Sequence, residues 1–162
     1  MKWIESLGGP LVLLPKSLVS EWGGADLEHP MEGDDYGRAC AVPGYLAEIP
    51  VGTGVGLVLW GSPDRTTILE TNSGWALVRW QYADSEAGML ECVHANIANA
   101  EVLEEIRHTG TDESYQLFDS VYPGNEIEET LELKLAPGVY RVSTRNHAES
   151  RTGFLAHLFE PA

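Results

Sequence analysis

Alternating apolar and polar positions dominate the chain and predict that most of it folds into β-strands. Residues 75–82 alternate most clearly, with Arg79 and Gln81 on one side and, on the other, Ala76, Val78, Trp80 and Tyr82. A period of two is typical of a half-buried strand. Residues 131–135 alternate in the same way, Ala136-Pro137-Gly138 supplies a turn, and residues 139–144 are predicted to form the returning strand.

Further strands are predicted where apolar runs are bounded by turn residues. They cover residues 55–60, 66–70 and 154–159, and Asn72-Ser73-Gly74 predicts a hairpin turn. The segment Gly52-Thr53-Gly54-Val55-Gly56 resembles a glycine-rich phosphate loop. A phosphate loop follows a strand and opens a helix, whereas this segment opens a strand and lacks a following Lys-Ser/Thr pair. We therefore interpret it as the entry to a hairpin.

Helical signals are few. Residues 15–22 begin with Pro15, place Leu18, Val19 and Trp22 close together on a helical surface, and end at two glycines. Residues 85–97 carry Met89, Leu90, Val93 and Ile97 on one helical face, and Ser85 is in the position of an N-cap. The acid-rich residues 98–106 are compatible with an extension of this helix or with a strand.

These elements predict an α+β fold that is mostly antiparallel β, as a sandwich or open barrel with two or three helices. We expect one domain over residues 1–162. Residues 49–78 and 135–155 repeat the order turn, strand, polar loop, glycine, strand. One interpretation is two similar β halves, 1–84 and 98–162, joined by a helical link near 85–97; the other is that any two antiparallel hairpins look alike.

Net charge narrows the classes of function. Twenty-five acids and ten bases among 162 residues give a formal net charge of −15. Such a field repels nucleic acids and anionic membranes and speeds encounters with basic proteins, although it also serves simple solubility. No apolar run approaches the length of a membrane span, and the first residues lack the apolar stretch of a signal peptide. We therefore expect a cytoplasmic protein.

The acids are concentrated in two stretches. Residues 21–35 contain six acids and no Lys or Arg, and residues 101–132 contain ten acids and one base, Arg107. Trp22 lies within the first stretch, where it is either a core residue or an aromatic anchor for a basic partner. The candidate partner-binding residues are Trp22, Asp26, Glu28, Glu32, Asp34, Asp35, Glu126, Glu128 and Glu129.

No pattern in the sequence indicates catalysis, a cofactor or a metal. The five histidines form no recognisable ligand spacing, and the pair Cys92 and His94 is too common a spacing to be informative. Cys40 and Cys92 lie among apolar neighbours and are interpreted as small core residues, with a disulfide between them as the alternative. No serine or cysteine lies in a G-x-S-x-G context.

Several segments resemble the immunity protein 21 family of bacterial polymorphic toxin systems. They are residues 3–15 (WIESLGGPLVLLP), Trp22-Gly23-Gly24, the run Asp35-Tyr36 with Arg38-Ala39-Cys40, residues 49–59, and residues 77–83. They are spaced in order over roughly the first half of the chain. They are apolar and glycine-rich, so they support family membership without marking a binding residue.

The resemblance implies a cytoplasmic protein that binds and blocks a cognate toxin domain, without catalytic residues of its own. Many such toxins are nucleases, whose phosphate-binding surface is basic, and an acidic protein can occupy that surface. We expect a basic partner and a monomer or weak homodimer. Two other classes stay open: a small-ligand binding module or enzyme in a β scaffold, which requires a deep pocket with convergent polar groups, and a structural subunit, which requires a stable homo-oligomer.

Overall fold

Two five-stranded antiparallel sheets form the framework of the protein in a computed structural model, which describes residues 1–61 and 64–162. The strands are β1 (Leu11–Pro15), β2 (Leu46–Val51), β3 (Gly54–Leu59), β4 (Thr66–Thr71), β5 (Gly74–Tyr82), β6 (Glu101–Gly110), β7 (Ser114–Asp119), β8 (Leu131–Lys134), β9 (Gly138–Ala148) and β10 (Gly153–Pro161). Sheet I has the order β2-β3-β1-β7-β8, and sheet II has the order β4-β5-β10-β9-β6. The predicted mostly antiparallel α+β sandwich is confirmed, and the described strands form no closed barrel.

Short helices complete the described fold. They are the 3₁₀ segment Lys16–Glu21, helix α1 (Asp35–Cys40), helix α2 (Glu86–Asn96) and the 3₁₀ segment Ile97–Asn99. The Ser85 hydroxyl accepts a hydrogen bond from the Gly88 amide at 3.1 Å, which confirms Ser85 as the N-cap of α2. Residues 101–106, whose state the sequence left open, belong to strand β6. Among residues 1–61 and 64–162, no helix is long and apolar enough to cross a membrane.

Strand β1 lies at the centre of sheet I, and every one of its residues is apolar and buried. It pairs with β3 on one side and β7 on the other. Leu11 and Leu13 face sheet II, whereas Val12 and Leu14 face away from it. A strand that is buried on both faces has a continuous run of apolar residues. Strand β8, in contrast, alternates between buried and exposed residues.

The outer faces of both sheets are also covered. Helix α2 lies over sheet II, where Met89 and Val93 pack with Ala76, Val78 and Phe154. The other face of β5 is turned towards sheet I, which corrects the prediction that β5 is half-buried: Arg79 on that face is 1% exposed, and its guanidinium donates to the carbonyl of Trp60. The two faces of β5 are therefore both covered, one by helix α2 and the other by sheet I.

Two segments cover the outer face of sheet I, and we call residues 16–44 and 120–130 together the sheet I cover. Val19, Trp22 and Ala39 of this cover pack on Val12, Leu14, Ile49, Val51, Val58 and Phe118. Ile127 packs against the same cluster. The cover therefore combines a segment that follows β1 with one that follows β7.

Each sheet combines strands from both proposed sub-halves. Sheet I contains β1, β2 and β3 from residues 1–84 and β7 and β8 from residues 98–162. Sheet II likewise combines β4 and β5 with three strands from the second sub-half. Residues 1–84 and 98–162 therefore pair with each other within both sheets.

Candidate partner-binding surface

The acidic loop before α1 is shaped by the carboxylates of Asp26 and Asp34. Asp34 Oδ2 accepts hydrogen bonds from the amides of Asp26 (2.8 Å) and Met31 (2.9 Å), and Oδ1 accepts one from Gly37 (2.6 Å). Asp26 Oδ1 accepts from the amide of Glu28 at 2.9 Å. Asp34 is thus the N-cap of α1 and also closes the loop at its base. The remaining acids of the loop are held outward.

These hydrogen bonds keep the Asp34 carboxyl ionised. Its partial burial raises the pKa, and the backbone amides of Asp26, Gly37 and Met31 lower it more, so that the pKa lies below its ordinary value. Asp35 has a comparable structural task, because it accepts from the Gly23 amide at 2.7 Å and pairs with Arg38 at 3.2 Å. Both aspartates were predicted as partner contacts, and both are half-buried and engaged within the protein.

The fold brings part of the second acidic stretch next to the first. The Trp22 carbonyl accepts from the Gly124 amide at 2.8 Å, and the Ala25 amide donates to the Val121 carbonyl at 2.9 Å. Gly24 has φ +63°, and a Cβ there would lie 2.6 Å from backbone atoms of residues 121–123. Residues 22–25 and 121–124 therefore run in direct contact across the sheet I cover.

This contact concentrates negative charge on one side of the sandwich. The sheet I cover contains nine acids against two bases, Lys16 and Arg38, for a formal net charge of −7. Six of the predicted contact residues are exposed in the described structure: Asp26, Glu28, Glu32, Glu126, Glu128 and Glu129. The acids between residues 101 and 119 lie instead on β6, β7 and the turn that joins them. A dense negative patch of this kind favours a basic partner.

Trp22 does not take part in this surface. Its side chain is 1% exposed and packs on sheet I, and its indole N–H donates to the Ser120 carbonyl at 3.0 Å. The expectation that Trp22 could be an exposed aromatic anchor is therefore wrong, and the alternative of a core residue holds. Burial follows from the position of Trp22 directly between the outer face of sheet I and residues 120–124.

Other apolar side chains of this region are exposed. Leu27 is 94% exposed and Met31 is 56% exposed, and both lie in the loop that Asp34 closes. Leu7 is 81% exposed, and its amide donates to the Asp119 carboxylate at 2.8 Å. Large exposed apolar residues among charges are typical of contact surfaces. The sequence reasoning missed these three residues, although Leu27 stands out as an apolar residue within an acidic run.

A cavity of about 270 Å³ lies beside Leu7. Its lining includes Ile4, Glu5, Ser6, Asp119, Tyr122, Glu128 and Glu129. The lining combines the apolar side chains of Ile4 and Leu7 with the carboxylates of Glu5, Asp119, Glu128 and Glu129. It can receive a side chain that ends in a positive charge, such as Lys or Arg.

The buried histidines lie away from this surface. His157 is fully buried between the sheets with Nδ1 3.0 Å from Thr144 Oγ1, and His108 is 1% exposed with Nδ1 2.9 Å from a Glu48 carboxylate oxygen. Neither ring is accessible to a substrate in this arrangement. These two histidines are therefore structural residues of the core.

A group that could hold a metal ion lies on the opposite side of the sandwich. It comprises Cys92 on α2, His147 on β9 and Glu149 just after β9. The sequence pairs Cys92 with His94, but the fold places His147 near the thiol instead. Cys40 and Cys92 are both free thiols, with Cys92 buried and Cys40 half-buried, so the alternative of a disulfide between them does not hold.

Comparison with known proteins connects this architecture to a family. No curated protein and no solved structure matches the chain. The family model described as immunity protein 21 matches residues 2–153, so the likeness extends well beyond the first-half segments that resemble this family. The chain therefore belongs to the immunity protein 21 family.

Proposed function

We propose that this protein neutralises a cognate toxin domain in the cytoplasm by docking its sheet I cover onto a basic surface of that toxin. The observation that carries this proposal is the contact between residues 22–25 and 121–124, which joins two acidic segments on one side of the sandwich. Membership of an immunity protein family supports a toxin as the partner. The protein acts by occupying a surface and catalyses no reaction.

Charge and apolar contact have different tasks in this proposal. Glu28, Glu32 and Glu128 steer the encounter and set its salt dependence, because exposed charges at a rim mainly change association rates. Leu27 and Met31 supply the apolar contact that limits dissociation. A nuclease is the toxin class best suited to this surface, since a protein that binds phosphates must present a basic face.

The test uses the toxin domain encoded beside the gene and the purified full-length protein. Affinity and association rate are measured at low and high salt for the native protein and for the double variant Glu28→Lys/Glu32→Lys. We expect the reversal to lower affinity by roughly tenfold or more and to flatten the salt dependence. The matched control is Glu91→Lys/Glu101→Lys, which makes the same charge change at exposed positions on α2 and β6.

Asp34 and Asp35 are unsuitable for this first test. Reversing their charge would also remove the hydrogen bonds to Gly37 and Gly23, so shape and charge would change together. Leu27→Ser tests the apolar contact separately, because the Leu27 side chain has almost no contacts within the protein to lose. We expect it to raise the dissociation rate and leave the salt dependence unchanged.

The outcomes separate function from mechanism. Absence of any complex, together with failure to protect cells that express the toxin domain, contradicts toxin neutralisation. If cells are protected but both double variants bind the toxin with equal affinity, the role of the sheet I cover is contradicted and toxin neutralisation is not. A metabolic operon around the gene, in place of a toxin gene, would also argue against the function.

A further inference from the structure

Three side chains with metal-binding atoms converge between helix α2 and the hairpin of β9 and β10. The Cys92 sulfur, a His147 ring nitrogen and a Glu149 carboxylate oxygen all lie within 4.8 Å of one another. Neighbouring ligands on a tetrahedral zinc ion are separated by roughly 3.3–3.8 Å, as follows from bond lengths of about 2.0–2.3 Å. A shift of about 1 Å in these side chains therefore suffices to bring all three onto one ion.

The ligand set has a clear chemical preference. A thiolate is a soft ligand, an imidazole is intermediate and a carboxylate is hard, and Zn²⁺ accepts all three. Mg²⁺ and Ca²⁺ prefer oxygen alone, so they do not fit a site built on Cys92. We propose that Cys92, His147 and Glu149 bind one Zn²⁺-class ion that clamps α2 to the β9–β10 hairpin.

The surroundings of the ligands support such a site. The His147 ring stacks on Phe154, with ring centroids 5.4 Å apart, which fixes the ring orientation. The Asn96 side-chain amide lies 3.6 Å from the Cys92 sulfur, in the position of a donor to a bound thiolate. The Glu149 backbone is held at both of its polar groups, since its carbonyl accepts from the Tyr82 hydroxyl at 2.6 Å and its amide donates to Thr152 at 2.8 Å.

The exposed fraction of the three ligand residues increases from Cys92 through His147 to Glu149. Cys92 is 9% exposed, the His147 side chain 19% and the Glu149 side chain 55%. An ion can therefore enter past Glu149, and a water molecule can fill the fourth position on the same side. The open side also means that Glu149 can be replaced without disturbing the core.

The same three residue types could instead form a nucleophile and its base, but the electrostatics oppose this. Burial raises the pKa of the Cys92 thiol, and the Glu149 carboxylate raises it further. A nucleophilic cysteine needs the opposite shift. A cation between the thiol and the carboxylate removes the repulsion that raises this pKa, and His147 already lies 2.8 Å from Glu149.

Cobalt is the probe for the first experiment because a thiolate bound to Co²⁺ gives a charge-transfer band in the near ultraviolet. The full-length protein is stripped with a chelator, kept reduced with a phosphine and titrated with Co²⁺. We expect the band and visible d–d bands to saturate at one equivalent. Cys92→Ser should lose the charge-transfer band, and Cys40→Ser, at the other cysteine, should keep it.

Glu149→Gln keeps the test valid if Cys92→Ser folds poorly, because Glu149 is exposed. We expect Glu149→Gln to weaken Co²⁺ binding by more than the roughly 10–100-fold that loss of an outer-shell partner costs. Zn²⁺ at about a hundredfold excess over its Kd should raise the Tm of the native protein by roughly 5–10 °C. The Tm of Glu149→Gln should rise much less.

Three results would overturn the proposal. One is the absence of a charge-transfer band in the folded native protein at millimolar Co²⁺. Another is a band that survives in Cys92→Ser and disappears in Cys40→Ser. The third is rapid alkylation of Cys92 by iodoacetamide that Zn²⁺ does not slow, since this would identify a free and reactive thiol.

Discussion

Thr144 Oγ1 and His157 Nδ1 lie 3.0 Å apart in the space between the two sheets, where both side chains are fully buried. Burial lowers the pKa of His157 to about 3, and the positive charge of Arg79 contributes to this shift. The imidazole is therefore neutral in the folded protein at neutral pH. The contact links β9 to β10 on the inner face of sheet II.

We predict that His157 makes the protein sensitive to mild acid. The folded pKa of about 3 lies below the ordinary value of 6.5, so the unfolded chain binds more protons between these limits. This contribution to stability is complete above the unfolded pKa and falls as the pH drops from there towards the folded pKa. The slope approaches roughly 1.4 kcal/mol per pH unit within the window.

Urea unfolding from about pH 7 to about pH 4.5 measures this slope. His157→Gln should show a smaller slope, by about one proton, because glutamine does not titrate. His29→Gln is the matched control, since the His29 side chain is 68% exposed. If the unfolding free energy has the same slope against pH in the native protein and in His157→Gln, His157 is not the source of the acid sensitivity.

Glu104 joins the open edges of the two sheets. Its Oε1 accepts hydrogen bonds from the amides of Tyr45 (2.9 Å) and Leu46 (2.6 Å), at the start of β2. We predict that Glu104→Ala lowers the free energy of unfolding by roughly 2 kcal/mol, because hydrogen bonds to a charged group are lost and a buried amide is left unpaired. Thermal or urea unfolding measures this loss.

Glu105→Ala is the control for Glu104→Ala. Glu105 is the next residue of β6, and its exposed carboxylate pairs with Arg141 at 3.7 Å. An exposed pair of this kind contributes about 0–1 kcal/mol. A loss for Glu104→Ala no larger than that for Glu105→Ala would contradict the bridging role.

Apolar spacing and capping residues in the sequence were sufficient to predict several helices and strands. Helix α2 followed from its apolar spacing and the Ser85 cap, and β5 followed from its period of two. Helix α1 was missed because its apolar face is short, although Asp34 three residues before Gly37 has the spacing of an N-cap. Residues 49–52 were interpreted as a turn, whereas residues 49–51 belong to strand β2, since Pro50 is tolerated on an edge strand.

The candidate sites depend on strand order, which the local pattern does not contain. Residues 22–25 meet residues 121–124 because β1 and β7 are antiparallel, which places the end of β7 beside the start of β1, and the segment after β1 returns across the outer face of sheet I to that end. Cys92 meets His147 because α2 packs across β5 and β10, and β9 pairs with β10 so that His147 lies beside Phe154. Composition identified the acidic stretches but could not reveal which acids of residues 101–132 would join the first stretch.

Trp22 connects stability to the shape of the sheet I cover. We predict that Trp22→Phe lowers the free energy of unfolding by about 2–4 kcal/mol, because it leaves a void beside Val19 and an unpaired carbonyl at Ser120. Leu27→Ser, at the exposed end of the same cover, should change stability by less than about 0.5 kcal/mol. Unchanged stability with weakened toxin binding for Trp22→Phe would instead place Trp22 in the interface.

Asp34 offers a test of whether loop shape matters in addition to charge. Asp34→Asn and Glu32→Gln each remove one negative charge from the loop, but only the first removes an acceptor oxygen from the Asp26, Met31 and Gly37 amides. We predict that Asp34→Asn weakens toxin binding more than Glu32→Gln. Equal losses would show that charge alone determines the affinity.

The pH dependence of the loop checks the same hydrogen bonds without a substitution. Because the folded pKa of Asp34 lies below 3.8, its contribution to stability is present above that value and is lost as the pH falls through the folded pKa. The amide proton signals of Met31 and Gly37 should therefore move upfield together as Asp34 is protonated, with a midpoint below 3.8. A midpoint above 3.8 would mean that the desolvation of Asp34 outweighs its hydrogen bonds and that the loop is held in another way.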